Sequence, residues 1–236
     1  MIIAIHQPNY LPWLGYFYKM TNCDVFVLLD DALHSKSSFT NRNKIKTREG
    51  TKLLSVPLST KEVKINELII SNDQKWQSDH WNIIENSYQK APYWEEYIVY
   101  LREILTKKSW TYLCELNFAL IWLIKGILGI KTEIMTSSML KIGNHTGSER
   151  NLAICKYLDA DVYLSGEGAR SYNDEESFER EGIKLVYIGF QHPVYHQLWG
   201  DFVPNLSIID LLFNEGEESL SILKGPRCFN FASKES

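Results

Sequence analysis

The order of apolar and polar positions predicts a chain in which strands and helices alternate. Short apolar or β-branched runs are typical of buried strands. They occupy residues 2–5, 24–29, 52–57, 63–70, 131–135, 161–164 and 184–188. Apolar residues at three- and four-residue steps predict helices, at residues 13–20, 74–89, 93–105, 112–128, 148–158, 175–181 and 207–213. Residues 35–48 lack such a period and are predicted to form a loop, with at most short strands.

Strand, helix and strand within the first thirty residues most simply form a βαβ unit. The fold class predicted is therefore α/β, with a mostly parallel, Rossmann-like sheet and helices on both faces. The βαβ unit requires a right-handed crossover between two parallel strands. We therefore predict that the first strand is central and that His6 and Asp30 lie at the carboxyl edge, after neighbouring strands. No linker interrupts the chain, which predicts a single domain over residues 1–225. The tail over residues 226–236 is expected to fray.

Helix boundaries are marked by polar residues in two places. Ser148 opens the helix predicted over residues 148–158 and is expected to cap it. Ser207 is followed three residues later by Asp210, a spacing close to that of a capping box. The preceding His192 and His196 are four residues apart, but Pro193 favours an extended segment and argues against a metal pair.

Composition excludes several classes of protein. The 236 residues carry a formal net charge of −4, which disfavours non-specific electrostatic binding to nucleic acid or anionic membranes. The four cysteines are widely spaced, which favours free thiols in a reducing cytosol. The start MIIAIHQPNY has no basic segment followed by an apolar run, so we expect no signal peptide. The apolar helix over residues 112–128 is too short to cross a bilayer comfortably. We therefore expect a cytoplasmic protein with no membrane insertion and no bound metal.

The first candidate site directly follows the first strand. His6, Gln7, Asn9 and Tyr10 lie where α/β sheets bind ligands, at the carboxyl end of a strand. The next helix points its N-terminus at this loop, which favours an anion such as phosphate. His6 is the candidate proton carrier or phosphate donor, and the alternative is a structured turn.

A second candidate is the pair Asp30 and Asp31, directly after the second strand. A carboxylate there is suited to holding an amine or a ribose. A metal is less favoured, because hard cations need several converging oxygens. In an extended chain the two side chains point apart, so only one is expected to face the site. The alternative is a solvated strand end.

A third candidate is the basic segment over residues 36–48. Its cations are Lys36, Arg42, Lys44, Lys46 and Arg48, and Asn41 and Asn43 add directional donors. Such a segment binds phosphate or carboxylate through charge-assisted hydrogen bonds. The alternative is a solvated basic loop.

The fourth candidate is a glycine-containing turn after a later strand. Backbone at Ser165 and Gly166 is placed to approach a ligand closely, and Arg170 to reach a phosphate. A glycine turn is a weak signal by itself. The alternative is a tight connection between strand and helix.

Several long motifs resemble the WbqC-like family. They are HQPNYLPWLGYFYKM, FVLLDD, KSSFTNRNKI, LLSVPL, YLSGEGARSY and FVPNLSIIDLLFNEG, and they extend over residues 2–216 in the family's order. This resemblance implies a role in bacterial surface-polysaccharide assembly, including O-antigen, and a glycine transferase activity.

The start of the chain is also similar to nucleotidyltransferases with a HUP-type Rossmann-like domain. Those enzymes carry an HxGH motif where this chain has Tyr10-Leu11-Pro12-Trp13, so both histidines are absent. This departure puts ATP-dependent adenylyl transfer in doubt. ATP or another nucleotide remains an open cofactor assignment.

The resemblance, together with these candidate residues, implies an aminoacyl (glycyl) or related amide-forming transferase that acts on a phosphorylated or nucleotide-linked sugar. His6 would act as base or phosphate donor, and Asp30 or Asp31 would hold the amine. Lys36, Arg42 and Lys44 would grip phosphates or carboxylate. One alternative is a HUP-type enzyme that activates a carboxylate or phosphate. The other is a non-catalytic assembly protein for polysaccharide enzymes.

Overall fold

A five-stranded parallel sheet forms the centre of the computed structural model, which describes residues 1–35, 38–72 and 75–225. The strands are β1 (Ile2–His6), β2 (Val25–Leu28), β3 (Arg42–Thr47), β4 (Gly50–Ser55), β5 (Glu133–Thr136), β6 (Val162–Gly166) and β7 (Lys184–Ile188). The helices are α1 (Leu14–Thr21), α2 (Lys75–Tyr88), α3 (Trp94–Arg102), α4 (Leu113–Ile127), α5 (Gly147–Tyr157), α6 (Glu175–Arg180), α7 (Ile208–Glu215) and α8 (Ser219–Lys224). The predicted tail over 226–236, including Cys228, and the candidate Lys36 lie outside the described residues.

The strand order of this sheet is β5-β2-β1-β6-β7, and each neighbouring pair is parallel. The prediction that the first strand is central is confirmed. The chain adds strands on one side of β1 as far as β5 and then crosses to the other side for β6 and β7. Strand order therefore reverses between β1 and β6. In open α/β sheets, ligands bind at the carboxyl ends of the strands at such a reversal.

Alternating strand residues supply a hydrophobic core on each face of the sheet. Ile3 and Ile5 pack in one cluster with Ile154 of α5 and Phe178 of α6. Ala4, which points the opposite way, belongs to a larger cluster with α1, α4 and α7. Helices therefore cover both faces, as the sequence predicted.

The strands β3 and β4 form a separate antiparallel hairpin, with Arg42 opposite Ser55. It lies partly in the segment predicted as a loop. The prediction missed a regular strand because two buried positions of β3 are polar, so no apolar period is visible. Asn43 donates to the Leu11 carbonyl at 2.6 Å, and Lys46 donates to the Asp201 carbonyl at 2.6 Å. Backbone acceptors replace apolar contacts at these positions.

The strand predicted over residues 63–70 is wrong. This segment forms a 3₁₀ turn at Ile65–Glu67, flanked by isolated bridges such as Leu58 with Ile70. The backbone amide of Ile65 donates to the Ala32 carbonyl, and that of Asn66 donates to the backbone carbonyl of Asp30. The backbone amides of this segment therefore form hydrogen bonds with the loop that follows β2, and the segment does not pair as a strand.

The predicted cap at Ser148 is also wrong. Thr146 is the residue that precedes the first turn of α5. Ser148 lies inside that turn, and its hydroxyl oxygen accepts from the amide of Asp174 at 2.8 Å. It therefore joins α5 to the start of α6.

Asp210 does not form a capping box with Ser207. Its buried carboxylate accepts from the Tyr88 hydroxyl at 2.8 Å and from the Tyr195 hydroxyl at 2.9 Å. Gln197 in turn donates to Tyr195 at 3.1 Å. The motif FVPNLSIIDLL thus supplies a buried polar network that holds residues 195–203 against α2 and α7.

Candidate functional site

Two of the predicted candidate segments meet at the carboxyl edge of the sheet. The loop at residues 7–12, here the Gln-Pro loop, follows β1, and the polar segment at residues 38–44 leads into β3. The amide of Tyr10 donates to the carbonyls of Phe39 at 3.2 Å and Thr40 at 3.1 Å. Asn117 of α4 donates to Pro8 at 2.9 Å and to Thr40 at 2.8 Å. A buried side chain from the core thus joins both segments.

Three side chains predicted to bind substrate form hydrogen bonds within the protein. Asn43 donates to the Leu11 carbonyl, and Asn41 donates to the Val56 carbonyl at 2.9 Å. Gln7 accepts from the Thr40 hydroxyl at 3.4 Å. These contacts fix the shape of the site. Lys44 is exposed, whereas its backbone carbonyl accepts from the amide of Ser207.

His6 ends β1 and is enclosed by aromatic rings. Tyr16 and Trp13 present edge contacts, with ring centroids at 4.8 Å and 5.4 Å from that of His6. The His6 Nδ1 donates to the Gln7 carbonyl at 3.1 Å, which leaves Nε2 as an acceptor in the neutral ring. Burial, together with the Lys19 ammonium, lowers the pKa of His6 to about 3. At neutral pH the ring is therefore uncharged.

Lys19 is a functional candidate that the sequence reading missed. It is only 4% exposed, and its ammonium donates to the Ile5 carbonyl at 2.9 Å, one residue before His6. Burial lowers the pKa of Lys19 to about 7. The available signal was its position in an apolar, aromatic helix face between Tyr18 and Met20, where a solvated lysine is unusual.

Asn9 and Tyr10 have different surroundings. The Tyr10 hydroxyl lies 2.9 Å from Nδ1 of His80 in the core, and burial raises the pKa of Tyr10. Asn9 is 3% exposed, and its Oδ1 finds no hydrogen-bond partner in the described part of the chain. An unpaired buried acceptor is costly, so Asn9 offers an acceptor for a ligand donor.

Asp30 and Asp31 are both bound by protein groups. Asp30 accepts from the Ser138 amide at 2.9 Å, the Ser138 hydroxyl at 2.6 Å and the Ser137 hydroxyl at 3.1 Å. Asp31 forms an ion pair with Arg150 and also accepts from Ser137. The two side chains do not point apart as they would in an extended chain, because the turn after β2 lets both reach the 3₁₀ turn that follows β5.

The glycine-containing turn after β6 lies at the strand-order reversal. Ser165 is buried, and its hydroxyl accepts from Asn173 at 3.1 Å. A Cβ added at Gly166 would meet nothing within 4 Å, so the space beside the backbone is open. Arg170 is exposed, lies 3.9 Å above the Tyr187 ring and pairs with Glu167. It therefore flanks the turn from the surface.

An aromatic wall borders the site beside the Gln-Pro loop, and the sequence reading did not single it out. The rings of Trp13 and Phe39 have centroids 5.3 Å apart, and Phe39 is 44% exposed. Gly15 allows this packing, because a Cβ there would lie 2.9 Å from the Trp13 indole nitrogen and 3.0 Å from Phe190. Exposed rings of this kind are suited to stacking against a sugar or a base.

The described cysteines offer no reactive thiolate. Cys23, Cys114 and Cys155 are buried and free, and burial raises the pKa of each thiol. Within residues 1–35, 38–72 and 75–225, no group of three or more His, Cys, Asp or Glu could hold a metal ion. In the same residues, no helix has the length and apolar character needed to traverse a membrane.

The sequence of the chain was compared with those of known proteins and protein families. The model of the WbqC-like protein family matches residues 7–222. The chain belongs to the WbqC-like protein family. It is also 36% identical over 226 residues to the uncharacterized protein Rv1507c of Mycobacterium tuberculosis, covering 94% of this chain and 97% of that protein. The matched residues include the Gln-Pro loop, the polar segment and the turn after β6.

We expect the free energy of unfolding to fall as the pH drops from about 6.5 toward about 4. In the folded chain, the pKa is about 3 for His6 and about 4 for His80, mainly because of burial. The unfolded chain therefore takes up protons that the folded chain cannot, which favours unfolding. Each histidine should account for up to about 2 kcal/mol between pH 7 and pH 5.

Urea titrations at the two pH values measure this loss. His80→Gln should retain more of its stability at pH 5 than the wild type, whereas the exposed control His196→Gln should behave as wild type. An equal loss in wild type and His80→Gln would contradict the buried-histidine explanation.

Proposed function

We propose that the chain is an aminoacyl (glycyl) or related amide-forming transferase that acts on a phosphorylated or nucleotide-linked sugar in surface-polysaccharide biosynthesis. The family resemblance suggests the reaction class and the O-antigen pathway. The observation that carries the choice of site is the meeting of the Gln-Pro loop and the polar segment beside the strand-order reversal.

Positive groups at this edge favour a phosphorylated ligand. Arg42 begins β3, and its Nε donates to the Ser38 carbonyl at 3.3 Å, which orients the guanidinium beside the polar segment. Burial and the nearby charge of Arg42 lower the pKa of His34, so the positive charge of Arg42 acts on the loop that follows β2. The N-terminus of α1 also opens here without an acidic residue in its first turn. Guanidinium groups and helix N-termini both bind phosphate favourably.

His6 is assigned the proton transfer. Amide formation requires an amine to attack an activated carboxyl carbon, carried as an acyl-adenylate, a thioester or an aminoacyl ester. As the C–N bond forms, the bond from that carbon to the activating group breaks, and this group leaves with the electron pair. The amine nitrogen must also lose a proton. The neutral ring with a free Nε2 is in the correct state to accept it. A bound phosphate would raise the pKa of His6 from its low value and so strengthen it as a base. Trp13 and Phe39 would stack against the acceptor sugar.

A HUP-type enzyme that activates a carboxylate or phosphate is the second candidate. It is favoured by the strand order, because the reversal between β1 and β6 is where nucleotides bind in related architectures. Backbone at Ser165 and Gly166 would contact the nucleotide. An enzyme of this class needs only a nucleoside triphosphate and a carboxylate, so product analysis without an acceptor sugar separates the two functions.

Replacing Arg42 with Ala should weaken the binding of a phosphorylated ligand without unfolding the chain. Loss of one charge-assisted contact costs roughly 1.5–3 kcal/mol, or about 10- to 100-fold in affinity. Calorimetry with a panel of nucleoside triphosphates and nucleotide sugars measures the effect. The matched control is Arg48→Ala, which removes the same charge about 17 Å along the hairpin. Equal affinities for wild type and Arg42→Ala would remove Arg42 from the site.

The function itself is tested by an assay for amide formation. Purified protein is supplied with glycine, a nucleoside triphosphate and candidate amino or uronic sugar nucleotides, and products are identified by mass spectrometry. A glycyl-sugar product that requires the protein supports the proposal. An adenylylated or phosphorylated carboxylate that forms without acceptor sugar would favour the second candidate.

A further inference from the structure

The outer side of α4 presents an exposed aromatic ring. Leu116, Leu120 and Ile124 are fully buried against the core. Leu123 and Ile127, further round the helix, are partly buried and also pack against the core. Trp122 is 51% exposed, which is unusual for so large an apolar side chain.

The neighbouring helix α3 extends this apolar surface. Tyr97 and Tyr100 of α3 and Trp122 and Ile127 of α4 line a groove of about 520 Å³. Tyr100 is 54% exposed. Contiguous exposed apolar surface marks an interaction site, and aromatic residues are enriched at the centres of interfaces. We call this surface the α3–α4 face.

Charges of opposite sign flank the α3–α4 face. Glu96 lines the groove from α3. Lys125 of α4 lies with its ammonium 5.3 Å from the centroid of the Trp122 ring. A two-fold axis places a surface against the same surface of a second copy. The acidic side chain of one copy can then meet the basic side chain of the other. An anionic membrane is less favoured, because the face is not predominantly basic.

We propose that the α3–α4 face binds a second copy of this chain in a two-fold symmetric dimer. Trp122 of each copy enters the groove of the other, and Glu96 of each copy meets Lys125 of the other. The dimer buries the Trp122 and Tyr100 rings that the single chain leaves exposed. The residues that line the groove are not among those of the Gln-Pro loop or the polar segment, so dimerisation can be tested independently of catalysis.

Sedimentation velocity over a concentration series tests the proposal. The wild type should dimerise at micromolar concentration, and Trp122→Glu should weaken dimerisation about 30-fold or more, as expected for a central aromatic residue. The matched control is Tyr157→Glu on α5, where an equally exposed aromatic ring (51%) lies on a helix of the other sheet face. Circular dichroism verifies folding, and Tyr100→Glu replaces Trp122→Glu if the latter unfolds.

A charge exchange tests the symmetry. Glu96→Lys and Lys125→Glu should each weaken the dimer, and the double variant should recover most of the wild-type affinity. A double variant no better than the single variants would overturn the paired arrangement. A wild type that remains monomeric up to about 100 µM would overturn the dimer, as would a monomer that co-sediments with phosphatidylcholine vesicles through Trp122.

Discussion

Replacing His6 with Ala is expected to lower the rate of amide formation by roughly 10²- to 10⁴-fold, the usual contribution of a positioned general base. The reason is structural. The ring is held by Tyr16, Trp13 and the Gln7 carbonyl, and in the neutral ring Nε2 is the nitrogen that can accept a proton. Steady-state rates on wild type and His6→Ala measure the effect, with the exposed His196→Ala as control.

His6→Asn separates proton transfer from ligand binding. Asn retains hydrogen-bonding groups but does not titrate near neutral pH. If His6 transfers the proton, the Asn variant should keep most of the ligand affinity and lose most of the rate. Preserved rate and affinity would reduce His6 to a binding group. Undiminished turnover in His6→Ala would refute the catalytic role, and a wild type without turnover on any donor or acceptor would favour the assembly-protein alternative.

Replacing Asp210 with Ala is expected to lower the free energy of unfolding by roughly 3–5 kcal/mol, because two hydrogen bonds to a buried carboxylate are lost. The hydroxyls of Tyr88 and Tyr195 would lose their acceptor in the core. Lys46, which lies in the same region and donates to Gln197 at 3.3 Å, would lose the favourable charge of the carboxylate.

Chemical denaturation at pH 7 measures this effect. Asp210→Asn keeps one acceptor oxygen and should lose about half as much stability, as expected for one hydrogen bond of the two. Asp174→Ala is the matched control: it removes an exposed carboxylate that caps α6 and should cost much less stability. A stability loss no larger in Asp210→Ala than in Asp174→Ala would contradict a structural role for the network.

The fold could be predicted from sequence wherever apolar residues follow a regular period. The runs at β1, β2 and β7 are short and apolar because both faces of those strands are covered, and this pattern specifies a parallel sheet. It failed at residues 63–70, where a 3₁₀ turn bonds to the loop after β2, and at β3, where buried Asn43 and Lys46 break the period. Such positions depend on backbone acceptors contributed by residues far away in the chain.

The positions of several candidate residues at the carboxyl edge of the sheet could be predicted, whereas their role in a site stays a prediction. Ligands bind at the carboxyl ends of strands in open α/β sheets, and this rule singled out the polar residues after β1 and β6. The Gln-Pro loop and the polar segment are in contact in the structure. The roles of individual side chains could not be read from sequence. Asp30 and Asp31 are engaged by Ser138 and Arg150, and these partners lie more than one hundred residues away.

The most direct test of the site is a crystal structure of the protein soaked with nucleotides and nucleotide sugars. The account predicts ligand density at the carboxyl edge between the turn after β6 and the Gln-Pro loop, with phosphate in contact with Arg42 and with His6 near the reacting group. A cleft of about 390 Å³ lies at the opposite edge of the sheet, beside Asp24 and Thr132. Ligand bound in that cleft, with the His6 and Arg42 region empty, would contradict the account.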